Sequence, residues 1–289
     1  MAYRRSKYLD LENTKYYHCI TRCVRRSFLC GYDELTKIDY NYRKEIIKNL
    51  LNVLTKAYSI EICSYVIMCN HIHLVLYVND SEAQSWTDDE ILKRWSILYP
   101  TSTSEIKALI LNNEPETETK PMIERARKKL YCISSFMEKF SHTLSKQFNK
   151  EDNCKGRFWE GNFHLHPILG LQALINTMVY VDLNPVRANM VNYPEEHDSC
   201  SISDRFNWVK IELKKIDTGN IKITENLLNS FFQLNTLLNL DNIEISNEQF
   251  HFSLYDYFKM VDMFAKTTLS KKASYREQSY VDIFSRLLL

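Results

Sequence analysis

Two short apolar runs separated by two residues constrain this chain more than any other part of it. Glu61 to Met68 and His71 to Val78 are rich in Val, Ile, Leu and Tyr, and Cys69-Asn70 between them reads as a tight turn. They predict a buried β-hairpin. His71 and His73 flank a single apolar residue, so on a strand both imidazoles project from one face. Same-face side chains lie roughly 6 to 7 Å apart, close enough for two ring nitrogens to converge on one ion. That is half of a metal site; the competing reading is two histidines satisfied by packing or at a sheet edge.

The hairpin does not stand alone. Tyr16 to Val24 carries the aromatic and β-branched content of an earlier strand, and Tyr42 to Tyr58 places Ile46, Ile47, Leu50, Leu51 and Leu54 at helical spacing. Strand, helix, strand, strand is the front half of a ferredoxin-like unit. Ser81 to Lys120, with Trp86, Trp95 and an acidic Glu114 to Glu118 stretch, reads as a partly helical insertion. Pro121 to about Lys150 predicts one long helix, apolar along Ile123, Leu130, Ile133, Phe136, Met137, Phe140, Leu144 and Phe148. Arg157 to His166 reads as the last core strand, closed by Pro167. Leu169 to Met190 opens as a helix that Pro185 kinks or ends near Asn184.

The expected fold class is α+β, a ferredoxin-like antiparallel sheet with helices on one face, followed by a helical C-terminal appendage. The expected boundaries are a catalytic domain over 1–198, with its insertion at about 81–120, and the appendage over 199–289. Ile211 to Leu240 is rich in Asn and Leu, and Leu254 to Leu289 reads as two more amphipathic helices.

Composition narrows the function classes. A hydrophobic content of 45% over 289 residues supports a sizeable core. No apolar run is long enough to span a bilayer, and the polar start lacks a signal-peptide core, so the expected compartment is the cytoplasm and no membrane partner is expected. The eight cysteines follow no disulfide or zinc-ribbon spacing and read as free thiols. A net charge of +1 conceals two basic regions. Arg4, Arg5, Lys7, Arg22, Arg25, Arg26, Arg43 and Lys44 crowd the start, while Arg125, Arg127, Lys128, Lys129, Lys139, Lys146, Lys150, Lys155 and Arg157 crowd the middle. Both fit a polyanion, although a charged helix face is often simply solvated.

A histidine-held metal can polarise a phosphodiester, but transesterification also needs a nucleophile. Tyr180 is the candidate, near the end of the helix after the last core strand. Asn184 lies four residues on, on the same helical face, and its amide oxygen is a suitable hard ligand for Mg²⁺ or Mn²⁺. The alternative for Tyr180 is that it packs a core as one of 18 tyrosines.

Four stretches in order, Tyr17-His18 with Arg22, Met68 to Leu74, Gly156 to Gly161, and Tyr180 to Ala188, resemble the single-tyrosine HUH transposases, and more narrowly the REP-associated tyrosine transposases. The resemblance spans roughly residues 16 to 200. It implies a metal-dependent enzyme that cleaves and rejoins single-stranded, hairpin-forming DNA. In its terms His71 and His73 hold a divalent metal, Tyr180 attacks to form a 5′-phosphotyrosine and free a 3′-hydroxyl, and Asn184 is the third ligand. Arg22, Arg25, Arg26 and Arg157 are candidate DNA contacts. The partners expected are hairpin-forming single-stranded DNA and, as one alternative, a second copy of the chain in a homodimer.

The sequence departs from the family pattern at Cys69, where proline is common, and at His197 to Ser201, where a Trp-Ser-Ser element is common. A second His-x-His, His164-Leu165-His166, competes for the metal by pattern alone. His18 is read as packing near the site. Rival functions are a domesticated hairpin-DNA-binding protein and a histidine-motif phosphohydrolase, the latter lacking a third histidine where Val75 stands.

Overall fold

A computed structural model describes residues 10–24, 29–34, 36–112, 115–216, 223–224, 227–228, 243–245, 248–250, 252–270 and 280–289. The strands are β1 (Tyr16–Arg22), β2 (Tyr32–Asp33), β3 (Ile38–Asp39), β4 (Ile60–Ile67), β5 (His71–Val78), β6 (His164–Pro167), β7 (Ile243–Ile245) and β8 (Glu248–Phe250). The helices are α1 (Tyr42–Ala57), α2 (Asp80–Ser85), α3 (Asp88–Leu98), α4 (Pro100–Leu111), α5 (Glu116–Leu130), α6 (Ile133–Glu151), α7 (Leu171–Asp182), α8 (Asn184–Arg187), α9 (Ser201–Lys215), α10 (Leu254–Ser270) and α11 (Ile283–Leu287).

The chain is thus mixed α and β, with a four-stranded sheet ordered β4-β5-β1-β6. β4 and β5 form the expected hairpin, closed by Met68 N–H donating to His71 O at 2.9 Å. Their near-continuous burial explains their composition, because a strand covered on both faces has no solvent side on which to place polar residues. β6 pairs antiparallel with β1 in a register that sets His18 opposite His166 and Ile20 opposite His164.

Contacts divide the chain into two compact units, one of Met1–Ile20, Ile62–Leu76 and His164–Leu289, the other of Thr21–Glu61 and Tyr77–Phe163. In the first unit α7 buries Leu174, Ile175, Met178, Val179 and Val181, and its Met178 carbonyl accepts from Ser64 Oγ of β4 at 3.4 Å. Cys200 bridges Val66, and Ile67 N–H donates to Ser199 O at 2.9 Å, so the start of α9 is tied to the edge of β4. α9 and α10 bury Ile202, Phe206 and Val209, and Phe258, Val261 and Ala265, respectively. The region beyond 198 also holds the two-stranded ribbon β7-β8, where only helix was expected. Most of Ile211 to Leu240 lies outside the described residues.

In the second unit the long helix expected from Pro121 to Lys150 is two helices. The chain leaves helical geometry at Tyr131 (φ −117°) and Cys132 (φ −96°, ψ 114°), and α5 begins before Pro121, which sits inside it. The basic face is partly committed within the protein. Arg127 donates to the carbonyls of Ala83 and Trp86 and pairs with Asp88 and Glu124, and Lys139 donates to Leu98 O at 2.7 Å. Arg43 is buried too, paired with Glu151 and Asp152 beneath the rings of Tyr40 and Phe148. These cations do internal work that charge counting cannot distinguish from a solvated face.

Among the described residues no helix is long and apolar enough to cross a membrane.

Candidate active site

His71 and His73 do share a face of β5, with ring centroids 4.9 Å apart. Each ring is oriented by a partner at Nδ1. His71 Nδ1 lies 2.6 Å from Asn70 Oδ1, an oxygen that can only accept, so the proton of the neutral ring is on Nδ1 and the lone pair on Nε2. His73 Nδ1 lies 2.9 Å from His18 Nε2 of β1, where one imidazole donates to the other.

His18 is therefore a member of the site, stacked on His73 at 5.1 Å between centroids. Sequence reasoning placed it near the site but assigned it to packing. The missing information was the sheet order: once β1 lies beside β5, a histidine on β1 can face one on β5. The same register brings in the second His-x-His run, since His166 faces His18 across the β1-β6 pair with centroids 6.1 Å apart. The two runs are not alternatives in space. His166 is an exposed member of the same cluster, and His164 lies exposed opposite Ile20.

Burial depresses both inner histidines. His18 falls to about 4, chiefly through desolvation and then through His166, and His73 falls to about 3 through desolvation and then its neighbours His18 and His71. Both rings are consequently neutral at physiological pH, the form in which an imidazole nitrogen offers a lone pair to a metal.

Tyr180 reaches this cluster from α7. Its ring lies 5.9 Å from that of His73 and 6.4 Å from that of His18, edge-on to both, and the residue is 39% exposed. The Arg187 guanidinium of α8 sits 4.8 Å from the Tyr180 ring centroid. Arg187 falls within the Tyr180 to Ala188 stretch, where its sequence position alone assigns it no role.

Helix α7 ends at Asp182, and the expected break before Pro185 is real: Leu183 separates α7 from the short α8 that begins at Asn184. Asn184 Nδ2 donates back to Tyr180 O at 3.0 Å and to Val181 O at 3.5 Å. Its amide nitrogen is thus spent on the helix end, which leaves Oδ1 as the end able to ligate or accept.

Among the described residues no group of three or more His, Cys, Asp or Glu side chains is arranged to hold a metal ion. The donors nonetheless fit a two-histidine centre. Both strand imidazoles are oriented through Nδ1 as metal-bound histidines usually are, and an amide oxygen is close in sequence to the tyrosine.

Arg22 and Arg157 belong to the second unit; Arg22 is half-exposed and 3.8 Å from Glu160, and Arg157 is exposed beside Phe158 and Trp159. Arg25 and Arg26 lie outside the described residues.

No protein-family model matches the chain, and no curated protein matches it. Among solved structures, one described as a REP-associated tyrosine transposase bound to a REP hairpin is similar over 78% of this chain and 95% of that one, at 13% identity and a TM-score of 0.42.

Proposed function

We propose that this protein is a metal-dependent single-strand DNA endonuclease and strand transferase, with Tyr180 as nucleophile and His71, His73 and Asn184 as metal ligands. One observation carries the reading: a half-exposed tyrosine stands edge-on to two buried, neutral histidines, one of which shares a strand face with a third. The strand order β4-β5-β1-β6, in which the first strand lies between the third and the fourth, supports a ferredoxin-like reading of the sheet.

A divalent cation, Mg²⁺ or Mn²⁺, held here would supply Lewis-acid polarisation of a non-bridging phosphate oxygen. The chain's own groups do the rest. Tyr180 Oη forms a bond to phosphorus as the bond to the 3′-oxygen breaks; the phenolic proton is lost and the departing 3′-oxygen takes one up. The product is a 5′-phosphotyrosine and a free 3′-hydroxyl. Attack by another 3′-hydroxyl reverses the step and rejoins strands, because the tyrosyl ester conserves the phosphodiester energy. Arg187, its guanidinium 4.8 Å from the Tyr180 ring centroid, holds the face of the ring and so helps to orient the phenol. His18 holds the His73 ring in position.

The decisive experiment incubates labelled single-stranded hairpin DNA with the protein and Mg²⁺ or Mn²⁺ and looks for a denaturant-resistant adduct. Tyr180→Phe and chelator should each abolish it, the former by about 10³-fold or more. An adduct that survives in Tyr180→Phe overturns the nucleophile assignment. Tight hairpin binding with no adduct under any metal identifies a binding protein instead.

A further inference from the structure

The second unit contains a cavity of about 390 Å³ lined by Ser145, Arg157, Phe158, Trp159, Gly161 and Asn162, among others. Its walls are fixed from three directions. Trp159 Nε1 donates to Ser141 O of α6 at 2.9 Å, which sets the indole plane. Asn149 Nδ2 donates to Gly156 O at 3.0 Å at the start of the loop. Val24 N–H donates to Phe158 O and Glu160 N–H to Arg22 O, while Cys23 bridges Trp159, so the loop is laced to the end of β1 as an irregular strand. A cavity so anchored exists before any ligand arrives.

Its chemistry is specific. One exposed guanidinium stands at the wall, the Asn162 amide supplies donors and an acceptor, the Ser145 hydroxyl, which donates to His142 O at 3.0 Å, supplies an acceptor, and two aromatic rings back it. The volume is at the low end for small-molecule sites, which run from roughly 300 to 1,000 Å³, and so fits one nucleotide but not a duplex. Gly161 is part of the lining, a Cβ built there meets nothing within 4 Å, and its backbone is not in the left-handed region, so a side chain can be added without a clash.

We infer that this cavity is a binding site for one unstacked nucleotide of single-stranded DNA, with Arg157 on its phosphate and Asn162 and Ser145 on the edge of its base. Extruded bases are generally held in this way, between aromatic or apolar walls with a few polar groups at the edge. The inference deepens the strand-transferase reading and rests on it for the identity of the polymer. It adds a recognition site remote in sequence from Tyr180 and made of other residues.

The test exploits Gly161. Because its position is open and its backbone ordinary, Gly161→Leu should fold normally, verified by thermal melting, while filling the cavity. In the full-length Tyr180→Phe background, which removes the covalent step, a fluorescent adenine analogue is scanned through the unpaired flank of a hairpin oligonucleotide. One position should brighten on binding, as a base leaving its stack does, and that signal should vanish in Gly161→Leu with about tenfold weaker binding. Arg157→Ala should weaken binding and lower the slope of log affinity against log salt by about 1. The inference is overturned if Gly161→Leu binds with unchanged affinity and signal, or if Arg157→Ala leaves the salt slope intact. Failure of the other reading looks different: if Tyr180 never forms an adduct yet one base still brightens and is lost in Gly161→Leu, the cavity stands as a nucleotide site and the strand-transferase assignment falls.

Discussion

Helix α7 carries two polar groupings on opposite faces, and they are built to different rules. Residues two apart on a helix point about 200° from one another, so Tyr180 and Asp182 look in nearly opposite directions. Tyr180 faces imidazole rings and is 39% exposed, whereas Asp182 is completely buried. The Asp182 carboxylate accepts from Ser201 Oγ, from Ile202 N–H at 3.1 Å and from Tyr257 Oη. Arg205, which donates to Cys63 O at 2.7 Å, lies 5.3 Å from the Tyr257 ring and offsets the negative charge. A buried acceptor satisfied by three donors from two helices specifies position; a half-exposed hydroxyl beside lone-pair donors is available for reaction. The lesson is that α9 and α10 act as the frame that aims the tyrosine helix, although neither adds a residue to the histidine cluster.

That division of labour is most exposed to Asp182→Ala. The change leaves an amide N–H and a phenol buried without their acceptor, at about 1 to 3 kcal/mol for each, while Ser201 Oγ can turn to Ser64 Oγ at 3.0 Å, so a loss of about 2 kcal/mol or more is expected in urea unfolding. At temperatures where the variant stays folded, Tyr180 adducts should still form. If the variant is as stable as the parent, the frame is held by something else.

The histidine side is tested by His18→Ala. Partners that orient a metal-bound imidazole typically contribute 10- to 100-fold in metal affinity, so Mn²⁺ binding measured by calorimetry should weaken by about that factor. His18→Gln, whose amide oxygen can accept from His73 Nδ1, should recover part of the loss. Recovery separates orientation of His73 from mere filling of space. Equal Mn²⁺ affinity in all three proteins would remove His18 from the site.

Local pattern made some of this legible and long-range pairing hid the rest. β5 begins and ends where its composition says it should, His71 to Val78, because a buried strand must be apolar throughout and its turn is only two residues long. α1 was equally plain from its periodicity. The break between α5 and α6 was not, because Tyr131-Cys132 contains neither glycine nor proline and the apolar stripe continues across it. His18 and His166 could be seen as histidines on strands, but their convergence depends on β1 lying between β5 and β6, which one sequence does not spell out. The Asp182 grouping was further out of reach, since Tyr257 is 75 residues away and its aspartate looks like any acid near a helix C-terminus.

The smallest expected effect concerns charge on the buried face. Desolvation raises the Asp182 carboxyl above its usual range, against the lowering influence of Arg205 and the hydrogen bonds from Ser201, Tyr257 and Ile202. Above the unfolded value of 3.8 the unfolded chain has released this proton while the folded protein still holds it. Stability due to this group therefore declines as pH rises, from near 3.8 until the raised folded value is passed, by at most about 1.4 kcal/mol per pH unit. Asp182→Asn keeps an acceptor for Ile202 N–H but cannot ionise, so its stability relative to the parent should improve with pH across that window and then level off. Urea unfolding of both proteins at successive pH values above 4 measures the difference. A difference that is flat throughout would mean that the three donors and Arg205 outweigh burial and keep Asp182 ionised, making the buried face of α7 a charged anchor.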